Sequence, residues 1–224
     1  MTTNDKRSDR NVERAGKLDT ATLSDALDKL GINGQCYKIK PRDPNFRMAG
    51  RAFTILYGPA ASPPGTVGDF IDNVEPGSII VLDNGGREDA TVWGDILTEI
   101  AHRRGIAGTV IDGINRDVHL CLSLGYPVFS RDSWMRTGKD RVQVEGVNVP
   151  VTIGGARVAP GDILKGDADG VIVLPRAHEE HILQIAEEIG AAEDAIRAAC
   201  RAGMRLDEAR QQHRYHQLQS RERP

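Results

Sequence analysis

The chain has 224 residues and a formal net charge of −3, and this length suffices for one large domain with its own hydrophobic core. The near-neutral balance argues against a nucleic-acid binder, whose affinity rests on clustered Lys and Arg. We expect neither a signal peptide nor a membrane anchor, because no apolar stretch approaches the roughly 18 residues that span a bilayer. Cys36, Cys121 and Cys200 are widely separated, which excludes a disulfide framework or a CxxC zinc site and favours a reduced, cytoplasmic compartment.

Polarity divides the chain into three parts. Residues 1–18 are hydrophilic and are predicted to form a flexible N-terminus. Residues 19–203 carry the periodic apolar patterns of a single domain, and no linker or internal repeat interrupts them. Residues 204–224 are again very polar and are predicted to be a tail with a mobile end.

The first elements of the domain follow from apolar spacing. Apolar residues recur at helical intervals from Thr20 to Leu30, and Gly31 stands where a helix would end. Partial alternation between turn residues predicts a strand at 49–56. A short helix is expected at 66–74, and a buried strand at 78–82.

A glycine-rich segment, Asp83-Asn84-Gly85-Gly86, follows the strand at 78–82. A helical pattern over 90–104 and a buried strand at 109–113 come next, which predicts a βαβ crossover with a parallel pair of strands. Backbone N–H groups at the carboxyl end of such a strand suit an anionic ligand such as a carboxylate. The alternative is that this segment is a tight turn that only connects the strand to the helix.

The remaining pattern is rich in β structure and closes with a long helix. A second helix at 117–125 and a short strand at 127–129 end the crossover region. Strands are then predicted at 142–144, 147–153, 157–158 and 170–174, with turn signals between them. Apolar residues at helical spacing predict a final helix over about 178–202.

The segment Asn115-Arg116-Asp117 directly follows the predicted strand at 109–113. An Arg can bind a substrate carboxylate through two parallel hydrogen bonds, and an adjacent Asp is a ligand for a hard cation. Asp95 lies near the start of the crossover helix, so the crossover could bring all three charged side chains to one edge of the sheet. Such a sparse set suits Mg²⁺, which keeps several waters. A surface ion pair or a helix cap is the alternative.

Four short motifs cluster around this region: Asp83-Asn84-Gly85-Gly86, Trp93-Gly94-Asp95-Ile96-Leu97, Gly108-Thr109-Val110-Ile111-Asp112-Gly113 and Asn115-Arg116-Asp117. Together they resemble the RraA-like family, whose class II pyruvate aldolases act on 4-hydroxy-4-methyl-2-oxoglutarate and 4-carboxy-4-hydroxy-2-oxoadipate. The resemblance runs from about Thr20 to Gly203 and includes the aldolase signature, an acidic residue, twenty intervening residues and then Arg-Asp. It implies a layered α/β/β/α sandwich, similar to a swivelling domain, with a parallel βαβ core, a β-rich C-terminal half and a long final helix.

The resemblance also implies roles for particular residues. Asp117 would contact a divalent metal directly, Asp95 would support a metal-bound water, and Arg116 would bind the pyruvyl carboxylate and steady the enolate. Further expected substrate-binding positions are Gly94, Ile96 and Leu97, whose backbone would hold the same carboxylate, and Asn84, Gly85 and Gly86.

A glutamate from an adjacent subunit's C-terminal helix also belongs to the family's metal water shell. Alignment of the closing Arg-Ala-Gly at 201–203 makes Glu193 the expected residue, with Glu187 and Glu188 as alternatives. Because the family's site is completed across a subunit boundary, the resemblance implies a homotrimer or a hexamer of two trimers.

The implied activity is Mg²⁺- or Mn²⁺-dependent retro-aldol cleavage of a 4-hydroxy-2-oxo acid to pyruvate, with oxaloacetate decarboxylation as a side activity. No Schiff-base lysine is expected, because Lys165 stands in a Gly-Asp-rich turn without an apolar surround to lower its pKa. Some RraA-like proteins instead bind and restrain a ribonuclease without catalysis. The two groups share the fold, and the acidic residue at Asp95 favours the enzyme.

Overall fold

The computed structural model describes residues 9–215 as ten strands and six α-helices, with a short 3₁₀ helix at Asp69–Asn73. The α-helices are α1 (Arg10–Lys17), α2 (Thr20–Leu30), α3 (Asp95–Arg103), α4 (Val118–Leu124), α5 (Glu179–Arg201) and α6 (Leu206–Gln212). The strands are β1 (Lys40–Pro41), β2 (Met48–Pro59), β3 (Ile79–Arg87), β4 (Gly108–Asn115), β5 (Val128–Ser133), β6 (Val142–Val147), β7 (Val151–Ile153), β8 (Ala156–Val158), β9 (Ile163–Asp167) and β10 (Gly170–Leu174).

An eight-stranded sheet has the order β1-β5-β4-β3-β2-β9-β10, with β6 also paired to β2. Strands β2, β3, β4 and β5 run parallel to one another, and α3 crosses between β3 and β4. The long strand β2 pairs antiparallel with β9 over its first residues and with β6 over its last. The predicted α/β class, parallel βαβ core, β-rich C-terminal half and long final helix are confirmed.

Apolar side chains form two buried clusters. The larger one surrounds the parallel strands and includes residues from α3, α4 and the β7–β8 hairpin. The smaller one lies among α1, α2, α5 and the outer strands β9 and β10. The central strand β4 is buried at all of its positions, as expected for a parallel strand covered on both faces. No helix in the described part of the chain is long and apolar enough to cross a membrane.

The N-terminal prediction needs correction. Residues 10–17 form the helix α1, which Asp9 caps by accepting hydrogen bonds from the backbone of its first turn. Arg14 binds Glu187 on α5 through Nε and Nη2, at 2.7 and 2.9 Å, and also contacts Glu180 at 2.8 Å. Charge pairing across the chain therefore holds a polar segment in place. Residues 1–8 lie outside the described residues.

The predicted tail also contains ordered structure. Helix α6 packs against α5 and buries Ala209 completely. The hydrophilic composition of this segment does not reveal the contact, because Ala209 is the one residue of α6 that is buried. Residues 216–224 lie outside the described residues.

The structure corrects two further predictions, for the start of α3 and for the strands at the outer side of the sheet. The helix predicted at 90–104 begins only at Asp95, and the preceding strand runs on to Arg87. Strand β9 was not predicted, although it joins β2 to β10. Lys165 lies on β9 with 5% exposure, donates to the Gly16 carbonyl at 3.0 Å, and has its pKa lowered by burial. Its surroundings are thus less polar than the sequence suggested.

Asp167, buried on β9, fixes the start of α2. Its carboxylate accepts hydrogen bonds from the Thr20 backbone at 2.8 Å, the Thr20 hydroxyl at 2.6 Å and the Asp169 backbone at 3.0 Å. Burial acts to raise the pKa of Asp167, but these hydrogen bonds outweigh burial and hold the pKa below its ordinary value. The stabilisation is therefore present above the ordinary carboxyl pKa and is lost as pH falls through the folded-state pKa.

We expect Asp167→Asn to lower the free energy of unfolding by about 1–3 kcal/mol at pH 7, because hydrogen bonds to a buried charge are lost. Urea denaturation measures the free energy of unfolding of the wild type and the variant. The difference between the two should become smaller in acid, as the carboxylate of the wild type protonates. The control is Asp169→Asn, whose side chain is exposed, with an expected change within about 0.5 kcal/mol. If the two substitutions lower the free energy of unfolding equally, Asp167 does not stabilise the start of α2 in this way.

Candidate active site

Two chain segments meet at the carboxyl edge of the parallel strands. Arg116 and Asp117 form the turn between β4 and α4, and Gly94 and Asp95 begin α3. The Arg116 N–H donates to the Trp93 carbonyl at 3.0 Å and ties the two segments together. The predicted convergence of Asp95, Arg116 and Asp117 is therefore present in the structure.

Asp117 holds an unusual backbone conformation at the centre of this contact. Its φ of 57° lies in the left-handed region, which costs a non-glycine residue stability. Its Oδ2 accepts the Asp95 N–H at 3.0 Å and lies 3.3 Å from Nε of Arg116. The side chains of Arg116 and Asp117 remain 39% and 30% exposed, so both can meet a ligand.

Gly94 permits this close approach. A Cβ atom at this position would lie 2.9 Å from Oδ2 of Asp117 and 3.0 Å from Nε of Arg116. Any larger residue would push the two charged side chains away from the start of α3. The binding of a substrate carboxylate by the Gly94 backbone stays a prediction.

The next residues of α3 present both polar and apolar groups. The Ile96 N–H donates to Oδ1 of Asp95 at 2.8 Å, so this amide already has a partner. The Ile96 side chain is 69% exposed, which is high for a large apolar residue. A substrate carboxylate would have to displace the Asp95 side chain to use the Ile96 amide.

A cavity of about 480 Å³ opens beside Arg116 and the start of α3. Its other walls come from the 3₁₀ helix at 69–73 and from residues 137–139. Asp69, Asp72 and Lys139 supply charge there, and Leu97 and Ile100 supply apolar surface. Sequence reasoning missed these charged residues, since they lie far apart along the chain and share no motif.

A smaller hollow of about 270 Å³ lies on the other side of Arg116. It is lined by Asp117, Val118, Ser133, Trp134 and Met135. Trp134 and Met135 are 41% and 72% exposed. Charged residues at the site are therefore bordered by apolar surface on this side.

The structure does not bring Asn84, Gly85 and Gly86 into either cavity. The Asn84 side chain is 3% exposed and donates to the Ala90 carbonyl at 3.1 Å. Because β3 continues through the glycines, they form an irregular stretch against β4 instead of a loop that leads into α3. A Cβ added to Gly86 would meet the Arg131 guanidinium, which is bound to Asp112. A substrate-binding role for these three residues stays a prediction.

The three candidate glutamates of α5 have different partners. Glu187 accepts two hydrogen bonds from Arg14, which lower its pKa. Glu188 accepts from Gln184 at 3.3 Å, and Glu193 accepts from Arg197 at 3.3 Å and from the Tyr215 hydroxyl at 3.5 Å. None of the three glutamates lines the two cavities. A contribution across a subunit boundary stays a prediction.

The donor set for a cation is sparse. Between residues 9 and 215, no three His, Cys, Asp or Glu side chains come together as a metal-binding group. The backbone N–H of Asp95 donates to the Asp117 carboxylate at 3.0 Å, and the side chains of both residues remain accessible. Mg²⁺ uses one or two carboxylates and keeps several waters, so these two side chains fit such an ion.

Comparison with protein families gives a match over residues 20–173 to a model described as Aldolase/RraA in the RraA-like family. A protein of Halalkalibacterium halodurans, provisionally named 4-hydroxy-4-methyl-2-oxoglutarate aldolase, is 35% identical over 178 residues, which cover 80% of this chain and 82% of the relative. Protein DlpA of Legionella pneumophila is 39% identical over 202 residues, 88% of this chain. The chain spans only about a third of DlpA, 33% of its length.

Solved structures show the same architecture. An uncharacterized protein from Pseudomonas syringae pv. tomato superposes with a TM-score of 0.84 at 40% identity, covering 89% of this chain and 96% of the other. Streptomyces coelicolor RraAS2, described as an unusual member of the RNase ES inhibitor RraA family, has a TM-score of 0.78 at 26% identity, covering 84% and 96%.

The left-handed conformation of Asp117 predicts which substitutions at this position the fold tolerates best. Because glycine adopts this conformation without strain, Asp117→Gly should be more stable than Asp117→Ala by about 1 kcal/mol in urea denaturation. The matched pair is Asp95→Gly and Asp95→Ala at the first helical position of α3, where alanine should be the more stable residue. If alanine is favoured at both positions, Asp117 does not hold this conformation.

Proposed function

Because the match over residues 20–173 makes this chain a member of the RraA-like family, we propose that it is an aldolase-type lyase that cleaves a 4-hydroxy-2-oxo acid to pyruvate and a second carbonyl compound. The observation that carries the proposal is the contact of Arg116 and Asp117 with the start of α3, between two cavities that Arg116 lines on both sides. Relatives provisionally named 4-hydroxy-4-methyl-2-oxoglutarate aldolase support the aldolase class.

Each charged group has a task in this chemistry. Arg116, a permanent cation with a planar fork of donors, would bind the carboxylate at the pyruvyl end of the substrate. In the reaction, the C4 hydroxyl loses its proton, the C3–C4 bond breaks, and the electron pair passes to C3 and the 2-oxo oxygen. The guanidinium of Arg116 stabilises the negative charge that develops on that enolate. Protonation at C3 then yields pyruvate.

A divalent cation, Mg²⁺ or Mn²⁺, belongs to the proposal. Asp117 would hold it directly and Asp95 through a water, with Glu193 of an adjacent subunit as a further partner through water. When bound, the cation would polarise the 2-oxo group as a Lewis acid. The same enolate arises from oxaloacetate by loss of CO₂, so decarboxylation is the proposed side activity.

The Asp95 N–H keeps the Asp117 carboxylate turned toward the start of α3, and the short Gly94 leaves room for it. The cavity of about 480 Å³ would receive the substituents on C4. A homotrimer, or a hexamer of two trimers, is part of the proposal, because Glu193 lies away from the site of its own chain.

Regulation of a ribonuclease is the second candidate, favoured by the resemblance to RraAS2. A protein-binding regulator has no need for two accessible carboxylates beside a guanidinium. Asp95 is the residue that separates the two functions, and the carboxylate that it carries at the exposed start of α3 favours the enzyme.

The test is pyruvate release from oxaloacetate and a panel of 4-hydroxy-2-oxo acids, with Mg²⁺ or with EDTA. We expect activity with Mg²⁺ and its loss with EDTA. Arg116→Ala and Asp117→Ala should each lower kcat/KM by about 100-fold or more, because charge stabilisation in the transition state is lost. The control is Arg103→Ala on the exposed surface of α3, which should keep wild-type activity.

Activity that survives EDTA would refute the metal-dependent mechanism. A complete lack of pyruvate release by the wild-type protein across the panel would favour the regulatory function. Circular dichroism and urea denaturation of each variant separate loss of chemistry from loss of fold.

A further inference from the structure

A buried hydroxyl lies directly beneath the start of α3. Thr98 is 1% exposed, and its Oγ1 donates to the Gly94 carbonyl at 2.8 Å. The same oxygen accepts the indole N–H of Trp93 at 2.9 Å. A threonine in a helix commonly bonds to the carbonyl four residues earlier. The second bond, from a Trp that is itself 2% exposed, is the unusual feature.

The peptide group between Gly94 and Asp95 links this hydroxyl to the charged site. Its carbonyl accepts from both the backbone N–H of Thr98, at 3.0 Å, and the hydroxyl. Its N–H donates to Oδ2 of Asp117 at 3.0 Å. A trans peptide is planar and its C=O and N–H point in opposite directions. Fixing the carbonyl therefore fixes the direction of the N–H that holds Asp117.

Trp93 provides a second connection. Its carbonyl accepts the Arg116 N–H at 3.0 Å, and its ring stacks on Tyr126 with centroids 6.3 Å apart and planes 10° from parallel. The bond from its indole to Thr98 fixes the rotation of the ring between these contacts. One hydroxyl thus restrains the peptide that faces Asp117 and the residue whose carbonyl holds Arg116.

We propose that Thr98 is a positioning residue whose hydroxyl, acting through the Gly94–Asp95 peptide, holds the Asp117 carboxylate in the orientation that binds a divalent cation. This inference rests on the proposed metal-dependent function. Groups that orient a metal ligand through a hydrogen bond typically contribute 10- to 100-fold in metal affinity. Thr98 does not line the cavity, so it acts on the site only through the Gly94–Asp95 peptide and through Trp93.

The experiment compares Thr98→Val, which removes both hydrogen bonds at similar volume, with Thr98→Ser, which keeps them. Mn²⁺ binding to the assembled protein is measured by isothermal titration calorimetry, and the Mg²⁺ concentration for half-maximal oxaloacetate decarboxylation by kinetics. Thr98→Val should weaken Mn²⁺ binding and raise the Mg²⁺ requirement by about 10-fold or more. Thr98→Ser should stay within about threefold of the wild type.

The matched control is Thr54→Val, which removes the hydroxyl of another fully buried threonine, bound to the Val149 carbonyl far along the chain. It should lower stability without changing either metal constant. Thr98→Ala removes the same two hydrogen bonds and replaces Thr98→Val if the latter does not fold.

Unchanged Mn²⁺ affinity in the folded Thr98→Val or Thr98→Ala protein would overturn the inference. An equal loss of affinity in Thr54→Val would overturn it too, since the effect would then follow stability alone. A wild-type protein that releases no pyruvate and binds no Mn²⁺ would refute the proposed function instead, which keeps the two failures distinguishable.

Discussion

The close contact between the start of α3 and the turn after β4 is the constraint on which the site depends. The start of α3 lies within the crossover between β3 and β4, and the turn at Arg116 and Asp117 follows β4. The hydrogen bonds from Arg116 to Trp93 and from Asp95 to Asp117 join them. Glycine at position 94 leaves room for the contact, because a Cβ there would lie 2.9 Å from the Asp117 carboxylate. The site is thus built from backbone as much as from side chains.

This contact lowers the stability of the fold but leaves charged side chains where a ligand can reach them. Asp117 holds a left-handed conformation with φ of 57°, and a carboxylate stays partly exposed next to a second acidic residue. The Arg116 guanidinium 3.3 Å away offsets some of that charge, and a bound cation would offset the rest. Strained residues of this kind persist where the surrounding structure holds them. The buried bonds of Thr98 and Trp93 are the part of the fold that does so here.

The sequence predicts elements whose signal is local. Helix α2, the strands of the crossover and the long helix α5 follow from apolar spacing, and Asp95 meets Asp117 because parallel strands end at one edge. Strand β9 escapes prediction because Lys165, Gly166 and Asp167 are not typical of a buried strand. Helix α1 escapes prediction because Arg14 secures this polar segment through Glu187 on α5, 173 residues away. Interactions of long sequence separation leave no periodic pattern in the chain.

The contacts that α5 makes within its own chain bear on which of its glutamates can reach an adjacent subunit. A glutamate that joins another subunit's metal site must leave its own partners. Glu187 is the least available, because two hydrogen bonds from the mostly buried Arg14 hold it and also dock α1. Glu193 has longer contacts of 3.3 and 3.5 Å, which are weaker and easier to exchange. Glu193 therefore stays the predicted residue, on the alignment of the closing motif, with Glu187 and Glu188 as alternatives.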